Sequence, residues 1–313
     1  IAITGTNGKT STASIIYEIL KKEGFDVRLA GNIGKPILKL KKGNKNTIYI
    51  IEISSFQLEI DTKLKPEIAV LLNISEDHLD RHSNMTEYRD IKSNIFKNQD
   101  KNDYSIISVD DKYSKYIADK NLNSKKILFT KSDLPLGMNL SYNFQAIEKV
   151  LEIFDIEKGV IRKRINEFRG LKHRMELVYD DGSIKFINDS KATNVSAVNL
   201  AIDTFKDIFW IGGGYSKSND LSNLNLSSRE IKGVFLIGSS ANEIKKLSPK
   251  EKKPSIYKNL SDATKAAYKA ARKNKKGSIL LSPGCSSHDQ FKNYEDRGSF
   301  FVQIISSLTS KSE

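Results

Sequence analysis

The sequence predicts an α/β fold built on mostly parallel sheets. Short runs rich in Ile, Leu and Val, typical of strands buried on both faces, alternate with segments of helical periodicity. In the first half of the chain, the predicted strands are residues 1–3, 47–53, 67–74, 104–109 and 126–129. Helical stretches such as residues 11–22 and 85–96 separate several of these strands.

The same alternation continues in the second half. The predicted strands are residues 184–188, 208–212, 234–238 and 278–282, and the predicted helices are residues 196–202, 262–273 and 300–308. A break near residues 168–174 follows two further predicted helices, residues 143–154 and 158–168. A chain of 313 residues is long enough for about two domains, so the break divides the chain into two α/β domains.

Composition excludes several classes of protein. No apolar run approaches the ~20 residues of a membrane span, so we expect no membrane insertion. The single cysteine, Cys285, cannot form an internal disulfide and fits a reducing compartment. The net charge of +13 comes from scattered lysines without an aromatic-interleaved basic patch, which disfavours a nucleic-acid partner. A positive field attracts a nucleotide or another small polyanion.

A phosphate-binding loop follows the first predicted strand. Gly5 and Gly8 free the backbone N–H groups to surround phosphate oxygens, and the next helix points its positive end at the anion. Lys9 supplies a point charge, and the hydroxyl of Thr10 can reach a magnesium ion. Only two residues separate the two glycines, whereas the common nucleotide-binding loop has four between its Gly and Gly-Lys. The short spacing indicates a particular family of ATP-using proteins.

Two polar clusters follow later strands of the first half. Glu52 ends an apolar strand, where a carboxylate is either turned to solvent or is paired, protonated or metal-bound. Beside a phosphate loop we favour a magnesium role. Residues 73–82 contain His78 and His82, and they form either a metal or anion site or a polar turn that caps the next helix. The sequence alone does not separate these two alternatives.

Two basic residues are also explained as ordinary surface charges. Nothing around Lys92 distinguishes it from an ordinary surface lysine. Arg174 lies beside His173 and either braces a transferring phosphoryl group or is a surface charge.

Three polar segments follow strands of the second half. Residues 188–194 form either a helix-capping turn or a nucleotide site, and their donors and acceptors favour the nucleotide. The glycine triplet of residues 212–214 is a weak signal that also fits a flexible turn. Residues 282–291 contain Cys285 and His288, for which a small buried cysteine is commoner than a nucleophile.

Taken in order, these segments resemble the Mur ligase family of the peptidoglycan pathway, over essentially the whole chain. The phosphate loop marks the wider superfamily, which includes folylpolyglutamate synthases. Residues 52–59, 188–194 and 282–294 resemble the family member that adds D-glutamate. The resemblance implies a P-loop ATPase-like central domain over residues 1–170 and a Rossmann-like C-terminal domain over residues 171–313.

The resemblance also implies roles for individual residues. The implied ATP contacts are Gly5, Thr6, Asn7, Gly8, Lys9, Thr10, Ser11, Asn143, Arg174 and Asp189. Thr10 and Glu52 are the implied magnesium ligands, and His78 is implied to help bind a second magnesium ion. Lys92, as a carbamylated lysine, is implied to serve the metal site as well. The implied substrate contacts are Asn32, His78, Thr193, Lys217, Ser287 and Tyr294. The implied catalytic residues are Lys9, His78, Lys92 and Lys191. The motif around Asn143 is poorly kept, since Leu140 replaces a polar residue, and the glycine triplet is one residue longer than usual.

The implied reaction joins D-glutamate to UDP-N-acetylmuramoyl-L-alanine with ATP and Mg²⁺, through an acyl phosphate, in a monomer of the bacterial cytoplasm. The alternatives are another ligase of the superfamily, such as a folylpolyglutamate synthase, and a nucleotide-binding fragment without turnover. The family has a further domain before the phosphate loop that holds the uridine nucleotide. Ile1 already lies in the strand before the loop, so we expect the chain to lack that domain and to bind the UDP-sugar weakly.

Overall fold

The computed structural model describes residues 1–32, 36–60, 63–79, 81–131, 143–168, 170–216 and 220–310. The chain divides into two compact units, Ile1–Arg169 and Gly170–Glu313. Each unit contains one six-stranded sheet, so the predicted α/β fold with mostly parallel sheets is confirmed. Throughout the described ranges, the helices are too short or too polar to cross a lipid bilayer.

The sheet of the first unit is parallel throughout. Its strands are β1 (Ala2–Thr4), β2 (Val27–Gly31), β3 (Ile48–Glu52), β4 (Ile68–Leu71), β5 (Tyr104–Ser108) and β6 (Lys125–Phe129), in the order β2-β3-β1-β4-β5-β6. Strand β1 therefore lies between β3 and β4. The carboxyl ends of these three strands carry the phosphate loop, Glu52 and the turn at residues 73–82.

Helices cover both faces of this sheet. They are α1 (Lys9–Lys22), α2 (Ser55–Glu59), α3 (Met85–Ser93), α4 (Lys112–Asp119), α5 (Phe144–Glu152) and α6 (Lys158–Asn166). Helix α1 buries Ile15, Ile16, Ile19 and Leu20, the side chains whose spacing predicted it. Its apolar face packs into one core cluster with residues of α5 and α6, while α3 contributes to a second cluster.

The sheet of the second unit is parallel except for its first strand. Its strands are β7 (Glu176–Asp180), β8 (Ile184–Asn188), β9 (Ile208–Gly213), β10 (Ile231–Ile237), β11 (Ser255–Ile256) and β12 (Gly277–Leu281), in the order β11-β10-β9-β12-β8-β7. Its helices are α7 (Val195–Thr204), α8 (Ala241–Leu247), α9 (Leu260–Asn274) and α10 (Tyr294–Thr309). Strand β7 pairs antiparallel with β8 as a hairpin.

The predicted strands and helices differ from the observed ones mainly at their ends, but several elements were not predicted. These are β2, β7, β11, α2, α4 and α8. Strand β7 is only partly buried, and its polar residues break the apolar run that marks an interior strand. Strand β11 has two residues, both exposed, and carries no apolar pattern to detect.

Gly213 provides a test of the packing in the second unit. Its φ is +103°, and a Cβ there would lie 2.2 Å from the carbonyl oxygen of Ile237 on the neighbouring strand. We expect Gly213→Ala to lower the free energy of unfolding by about 1–3 kcal/mol, through backbone strain and the clash. The fluorescence of Trp210, the single tryptophan of the chain, follows unfolding of this unit in urea.

Gly182 is the matched control because its φ is also positive, at +88°, but no atom lies within 4 Å of its Cβ position. Gly182→Ala therefore carries the conformational cost alone, and its loss of stability should be the smaller of the two. Equal losses at the two positions would contradict the packing described at Gly213.

Candidate active site

The loop between β1 and α1 is closely packed around its two glycines. Gly8 has φ +83°, and a Cβ there would lie 2.2 Å from the side-chain nitrogen of Asn143. At Gly5 a Cβ would lie 3.0 Å from Cβ of Leu72. Helix α1 begins immediately after Gly8, at Lys9. The backbone therefore takes the form of an anion-binding loop at a helix N-terminus.

The turn after β4 supports this loop. The Thr6 amide donates to the carbonyl of Asn73 at 2.9 Å. The Asn73 side chain accepts from the Asn7 amide at 2.8 Å and donates to the Asn7 carbonyl at 3.0 Å. The Thr6 hydroxyl donates to the carbonyl of Ser75 at 3.1 Å. Asn73 and Ser75 thus fix the phosphate loop, a role that neither sequence interpretation included.

Two lysines converge on the same loop. Lys9 Nζ donates to the carbonyls of Gly5 and Thr6, each at 2.8 Å. Lys92 Nζ donates to the carbonyl of Gly5 at 3.0 Å and lies 4.6 Å from the centroid of the Tyr88 ring. The loop carbonyls therefore hold both lysine side chains beside the predicted phosphate site.

The interpretation of Lys92 as a surface lysine is wrong. Its side chain is among the largest that are fully buried, because α3 turns both Lys92 and Tyr88 towards the core. Burial lowers the pKa of Lys92 well below its ordinary value, and the nearby charge of Lys9 lowers it further. Helical spacing places Lys92 one turn after Tyr88, but its hydrogen-bond partner, the Gly5 carbonyl, is far away in the chain, so the sequence carried no signal of burial.

Glu52 is buried at the end of β3 and is paired. Its carboxylate accepts from the Thr10 hydroxyl at 2.7 Å and from the Asn32 amide at 3.1 Å. A buried carboxylate and a hydroxyl at the start of α1 are the hard oxygen donors that Mg²⁺ prefers beside a nucleotide. The donor chemistry of this pair therefore fits a magnesium ion.

His78 and His82 lie in different surroundings. His78 is half-buried with φ +56°, and its ring meets Phe56 edge-on at 4.9 Å between centroids. His82 is buried, contacts the Ser55 hydroxyl at 3.0 Å, and has its pKa lowered by burial. Within the described parts of the chain, no three His, Cys, Asp or Glu side chains are grouped so that they could hold a metal ion.

Two further predicted ATP contacts lie beside the loop. Asn143 is buried immediately before α5, and its amide lies 3.5 Å from the carbonyl of Gly8. Ser11 lies in the first turn of α1. The altered position next to this asparagine, Leu140, falls outside the described residues.

In the second unit, the turn at residues 188–194 lies between β8 and α7, as the sequence predicted. Asp189 is buried there, and its carboxylate accepts from the Ser282 hydroxyl at 2.9 Å and from the Met175 amide at 3.1 Å. Burial raises the pKa of Asp189 to about 7, and these hydrogen bonds offset the shift only in part. Asn194 closes the turn by capping α7.

Lys191 and Tyr294 are neighbours. Lys191 Nζ lies 3.8 Å from the centroid of the Tyr294 ring, a cation–π distance. The Tyr294 carbonyl accepts from the Ser190 hydroxyl at 2.8 Å. Thr193 is half-buried in the same turn, and Ser287 is buried. The predicted substrate contacts Thr193, Ser287 and Tyr294 therefore belong to segments that the fold brings to one edge of this sheet.

Arg297 was missed by the sequence interpretation. It is buried on α10, and its guanidinium donates to the Ser190 hydroxyl at 3.0 Å, to the Ser190 carbonyl at 2.8 Å and to the Cys285 carbonyl at 3.2 Å. Burial lowers the pKa of Arg297 to about 10. This side chain joins the turn at residues 188–194 to the loop that follows β12.

The glycine triplet is packed and is not a flexible turn. Gly212 and Gly213 end β9, and a Cβ on Gly214 would lie 2.3 Å from the carbonyl oxygen of Ser286. The next residue, Tyr215, forms a two-way backbone bridge with Ser286, at 2.9 and 3.0 Å. Lys217, the predicted substrate contact after the triplet, falls outside the described residues.

Cys285 is a structural residue. Its thiol is buried beside the Ser240 hydroxyl at 3.3 Å, and burial raises its pKa to about 11. Only the thiolate is a good nucleophile, so this environment suppresses thiol chemistry. His288, the other residue of the conceivable Cys–His pair, is exposed on the surface.

Each unit is an α/β fold on a mostly parallel sheet, and the first carries a phosphate loop. These features define the class of nucleotide-using α/β proteins. Comparison with known families makes this specific: the model of the Mur ligase middle domain matches residues 3–166. The chain belongs to the Mur ligase family.

Curated relatives resemble the chain over almost its whole length. A protein of Rickettsia bellii named UDP-N-acetylmuramoylalanine–D-glutamate ligase is 36% identical, over 98% of this chain and 76% of the relative. A protein of the same name from Thermoanaerobacter sp. is 34% identical, over 98% of this chain and 75% of the relative. The chain therefore spans about three quarters of the length of these relatives.

Solved structures share the fold at low identity. MurF from Acinetobacter baumannii matches 96% of this chain and 76% of its own, with a TM-score of 0.74 and 15% identity. MurF ligase from Thermotoga maritima in complex with ADP matches 100% of this chain and 80% of its own, with a TM-score of 0.73 and 17% identity. A folylpolyglutamate synthase from Mycobacterium tuberculosis matches 97% of this chain and 90% of its own, with a TM-score of 0.71 and 13% identity.

Gly8 gives the first test of the site. A Cβ there would displace Asn143 and oppose the positive φ of the loop, so we expect Gly8→Ala to weaken MgATP binding at least about tenfold, by calorimetry. Gly24→Ala is the control, since Gly24 also has a positive φ, +89°, but has open space around it. Wild-type affinity in Gly8→Ala would contradict the loop geometry.

Asp189 gives a test through pH. Its pKa rises from an ordinary 3.8 to about 7 in the fold, so the folded state holds a proton that the unfolded state has lost between these values. Stability should therefore fall as the pH rises from about 4 to about 7, and the penalty is fully present above pH 7.

Asp189→Asn should remove this penalty and gain on the order of 4 kcal/mol relative to wild type between about pH 4 and pH 8. Urea unfolding followed by Trp210 fluorescence at the two pH values measures the difference. The same substitution at the exposed Asp262 should leave the pH dependence of the wild type in place. A parallel pH dependence in wild type and Asp189→Asn would contradict the buried, protonated state.

Proposed function

We propose that this chain is an ATP-dependent ligase that joins D-glutamate to the alanine carboxyl of UDP-N-acetylmuramoyl-L-alanine, in the bacterial cytoplasm, during cell-wall synthesis. The observation that carries the proposal is the similarity to curated relatives of that name, at 36% and 34% identity over 98% of the chain. The phosphate loop and the polar turns at the strand ends supply the chemical groups that such a reaction needs.

The first unit binds the ATP phosphates in this proposal. The loop of Gly5, Thr6, Asn7 and Gly8 lies around them, and the N-terminal turn of α1 with Thr10 and Ser11 and the Lys9 ammonium supply donors and charge. The amides of Thr6 and Asn7 already donate to Asn73, so these two residues shape the loop. Lys9 is already held at the loop by two carbonyls, at 2.8 Å each. Its charge is therefore held beside the proposed phosphate site. Asn143, packed against Gly8, lies on the nucleoside side.

Thr10 and Glu52 hold a magnesium ion that neutralises the triphosphate when bound. Their contact of 2.7 Å means that two oxygen donors are already adjacent. His78 would help to hold a second magnesium ion, and Lys92, in the form of a carbamate, would also serve the metal site. Asn32, whose amide reaches Glu52 at 3.1 Å, contacts the muramoyl substrate.

The buried Lys92 is suited to react with carbon dioxide. Its lowered pKa favours the neutral amine, whose lone pair attacks the carbon of CO₂. The nitrogen then loses one proton to water, and an N-carboxylate remains. The nitrogen keeps one hydrogen, which can still donate to the Gly5 carbonyl that Lys92 contacts at 3.0 Å. The product is a carboxylate in place of a buried amine, a better neighbour for Mg²⁺ and for Lys9.

The second unit contributes the remaining contacts. Arg174, Asp189 and Lys191 bind the nucleotide and its phosphates, and Thr193, Lys217, Ser287 and Tyr294 form the D-glutamate pocket. Lys191 Nζ lies 3.8 Å from the centroid of the Tyr294 ring. Arg297 joins the turn at residues 188–194, which carries Lys191 and Thr193, to the loop after β12, which carries Ser287. The positive charge of Lys191 suits an amino acid with two carboxylates.

The reaction then proceeds in two steps. The alanine carboxylate attacks the γ-phosphorus of ATP, releasing ADP and giving an acyl phosphate. The amine of D-glutamate attacks the acyl carbon, phosphate leaves, and an amide remains after loss of a proton from nitrogen. Positioning and charge neutralisation dominate the first step, which is what Lys9, Lys191 and Arg174 supply.

A turnover assay tests the function. Phosphate release from MgATP should require both UDP-N-acetylmuramoyl-L-alanine and D-glutamate, and L-glutamate should not substitute. Lys9→Ala should lower kcat about a hundredfold or more, because it removes a charge aimed at the transferring phosphoryl group. Release that requires a folate acceptor instead would identify a folylpolyglutamate synthase, and MgATP binding without release would identify a binding module.

Carbamylation of Lys92 is tested by carbon-13 NMR. Protein equilibrated with ¹³C-bicarbonate should show a carbamate resonance that disappears on acidification, as CO₂ is lost, and that is missing from Lys92→Ala. Lys97→Ala, which removes an exposed lysine shortly after α3, should retain the resonance. Identical spectra from wild type and Lys92→Ala would contradict the assignment.

A further inference from the structure

Arg174 lies between two residues with unusual backbone conformation. His173 has φ +64° and Met175 has φ +42°, both in the left-handed region that non-glycine residues rarely adopt. The His173 and Met175 side chains are buried, whereas Arg174 is partly exposed. Two strained residues in a row of three persist only where their surroundings fix them, and such places concentrate at functional sites.

Asn188 is at the centre of the contacts that fix this segment. It is fully buried at the end of β8, and its side-chain nitrogen lies 2.9 Å from Nδ1 of His173. The same nitrogen donates to the Glu176 carboxylate at 3.2 Å and to the Gly298 carbonyl at 3.2 Å. One amide therefore joins the His173 ring, β7 and α10.

The backbone on both sides of Arg174 is held as well. The His173 amide donates to the Glu176 carboxylate at 2.8 Å, and the His173 carbonyl accepts from the Lys191 amide at 3.0 Å. On the other side, the Met175 amide donates to Asp189 at 3.1 Å. Each strained residue thus has a hydrogen-bond partner in the turn at residues 188–194 or in β7.

Close packing against α10 also confines the His173 ring. A Cβ on Gly298 would lie 2.2 Å from Nδ1 of His173, so the ring sits directly against the α10 backbone. The ring therefore cannot move closer to α10, and Asn188 contacts it at the same nitrogen atom. Release of this ring would let φ of His173 return to the ordinary region, and that rotation would swing the Arg174 side chain to a new direction.

We propose that Asn188 is a positioning residue that acts through His173 to fix the conformation of Arg174, and with it the contribution of the Arg174 guanidinium to nucleotide binding. The inference rests on the proposed function, which assigns Arg174 as a nucleotide contact. Asn188 itself contributes no charge, and its amide is engaged with protein groups on three sides. Its effect on nucleotide binding therefore passes through the conformation of residues 173–175.

A double-mutant cycle on MgATP affinity, measured by calorimetry on the full chain, tests this. Arg174→Ala should weaken binding about tenfold or more, the range of a hydrogen bond to a charged group. Asn188→Ala should weaken binding severalfold in the wild-type background and cause no further loss in the Arg174→Ala background. The proposal would be overturned if the double variant lost affinity by the product of the two single losses, or if Asn188→Ala bound MgATP with wild-type affinity.

Gly298→Ala gives an independent perturbation if Asn188→Ala does not fold. It displaces the His173 ring from the α10 side and leaves the Asn188 side chain in place, so the same lack of additivity with Arg174→Ala is expected. The proposal would also be overturned if the losses of MgATP-binding free energy in Gly298→Ala and Arg174→Ala added up in the double variant. Ser248→Ala is the control for a buried polar deletion in the same unit, away from this segment, and should keep wild-type affinity.

The outcomes distinguish the positioning role from the proposed function. If wild type does not bind MgATP, the proposed function fails before the cycle begins. If wild type binds and Arg174→Ala has full affinity, the assignment of Arg174 and the positioning role both fail, while the remaining nucleotide contacts stand. Thermal unfolding followed by Trp210 fluorescence verifies that each variant is folded at the temperature of the titration.

Discussion

Parallel strand pairing is the constraint on which both candidate sites depend. In the first unit, β1 lies between β3 and β4, so the phosphate loop, Glu52 and Asn73 must meet at one edge of the sheet. The contacts of 2.7 Å from Thr10 to Glu52 and 2.9 Å from Thr6 to Asn73 follow from that order. In the second unit, β12 lies between β8 and β9, which brings Asp189 and Ser282 together at 2.9 Å.

Much of this arrangement could be predicted from the sequence because its signals are local. A β-strand rich in Ile and Val, a glycine turn and a helix are all visible within a dozen residues, as at residues 1–22. The carboxyl ends of parallel strands then carry the polar turns, whatever the strand order. The position of Glu52 at the end of an apolar run indicated pairing, and its partners prove to be a hydroxyl and an amide.

The parts that were missed depend on contacts between distant segments. Lys92 resembles a surface lysine in the sequence, since its burial is set by the Gly5 carbonyl, 87 residues away in the chain. Arg297 resembles a helical surface charge, but it binds Ser190, 107 residues away. The left-handed conformation of His173 has no signature at all, because it comes from Asn188 and Glu176 and not from a glycine. Side-chain burial of this kind requires knowledge of the strand order.

Buried polar groups are the common feature of the two sites. Lys92 and Asp189 both have pKa values shifted towards their neutral forms by desolvation, and Arg297 has its pKa lowered by the same effect. Such groups cost stability in an isolated fold and are retained where chemistry uses them.

The most direct test of the central claim follows oxygen atoms. UDP-N-acetylmuramoyl-L-alanine labelled with ¹⁸O in its alanine carboxylate is incubated with the protein, MgATP and D-glutamate, and the released phosphate is analysed by mass spectrometry. Activation of the carboxylate by ATP predicts one ¹⁸O atom in each phosphate released with product. Unlabelled phosphate accompanying amide formation, or no amide at saturating substrates, would contradict this mechanism.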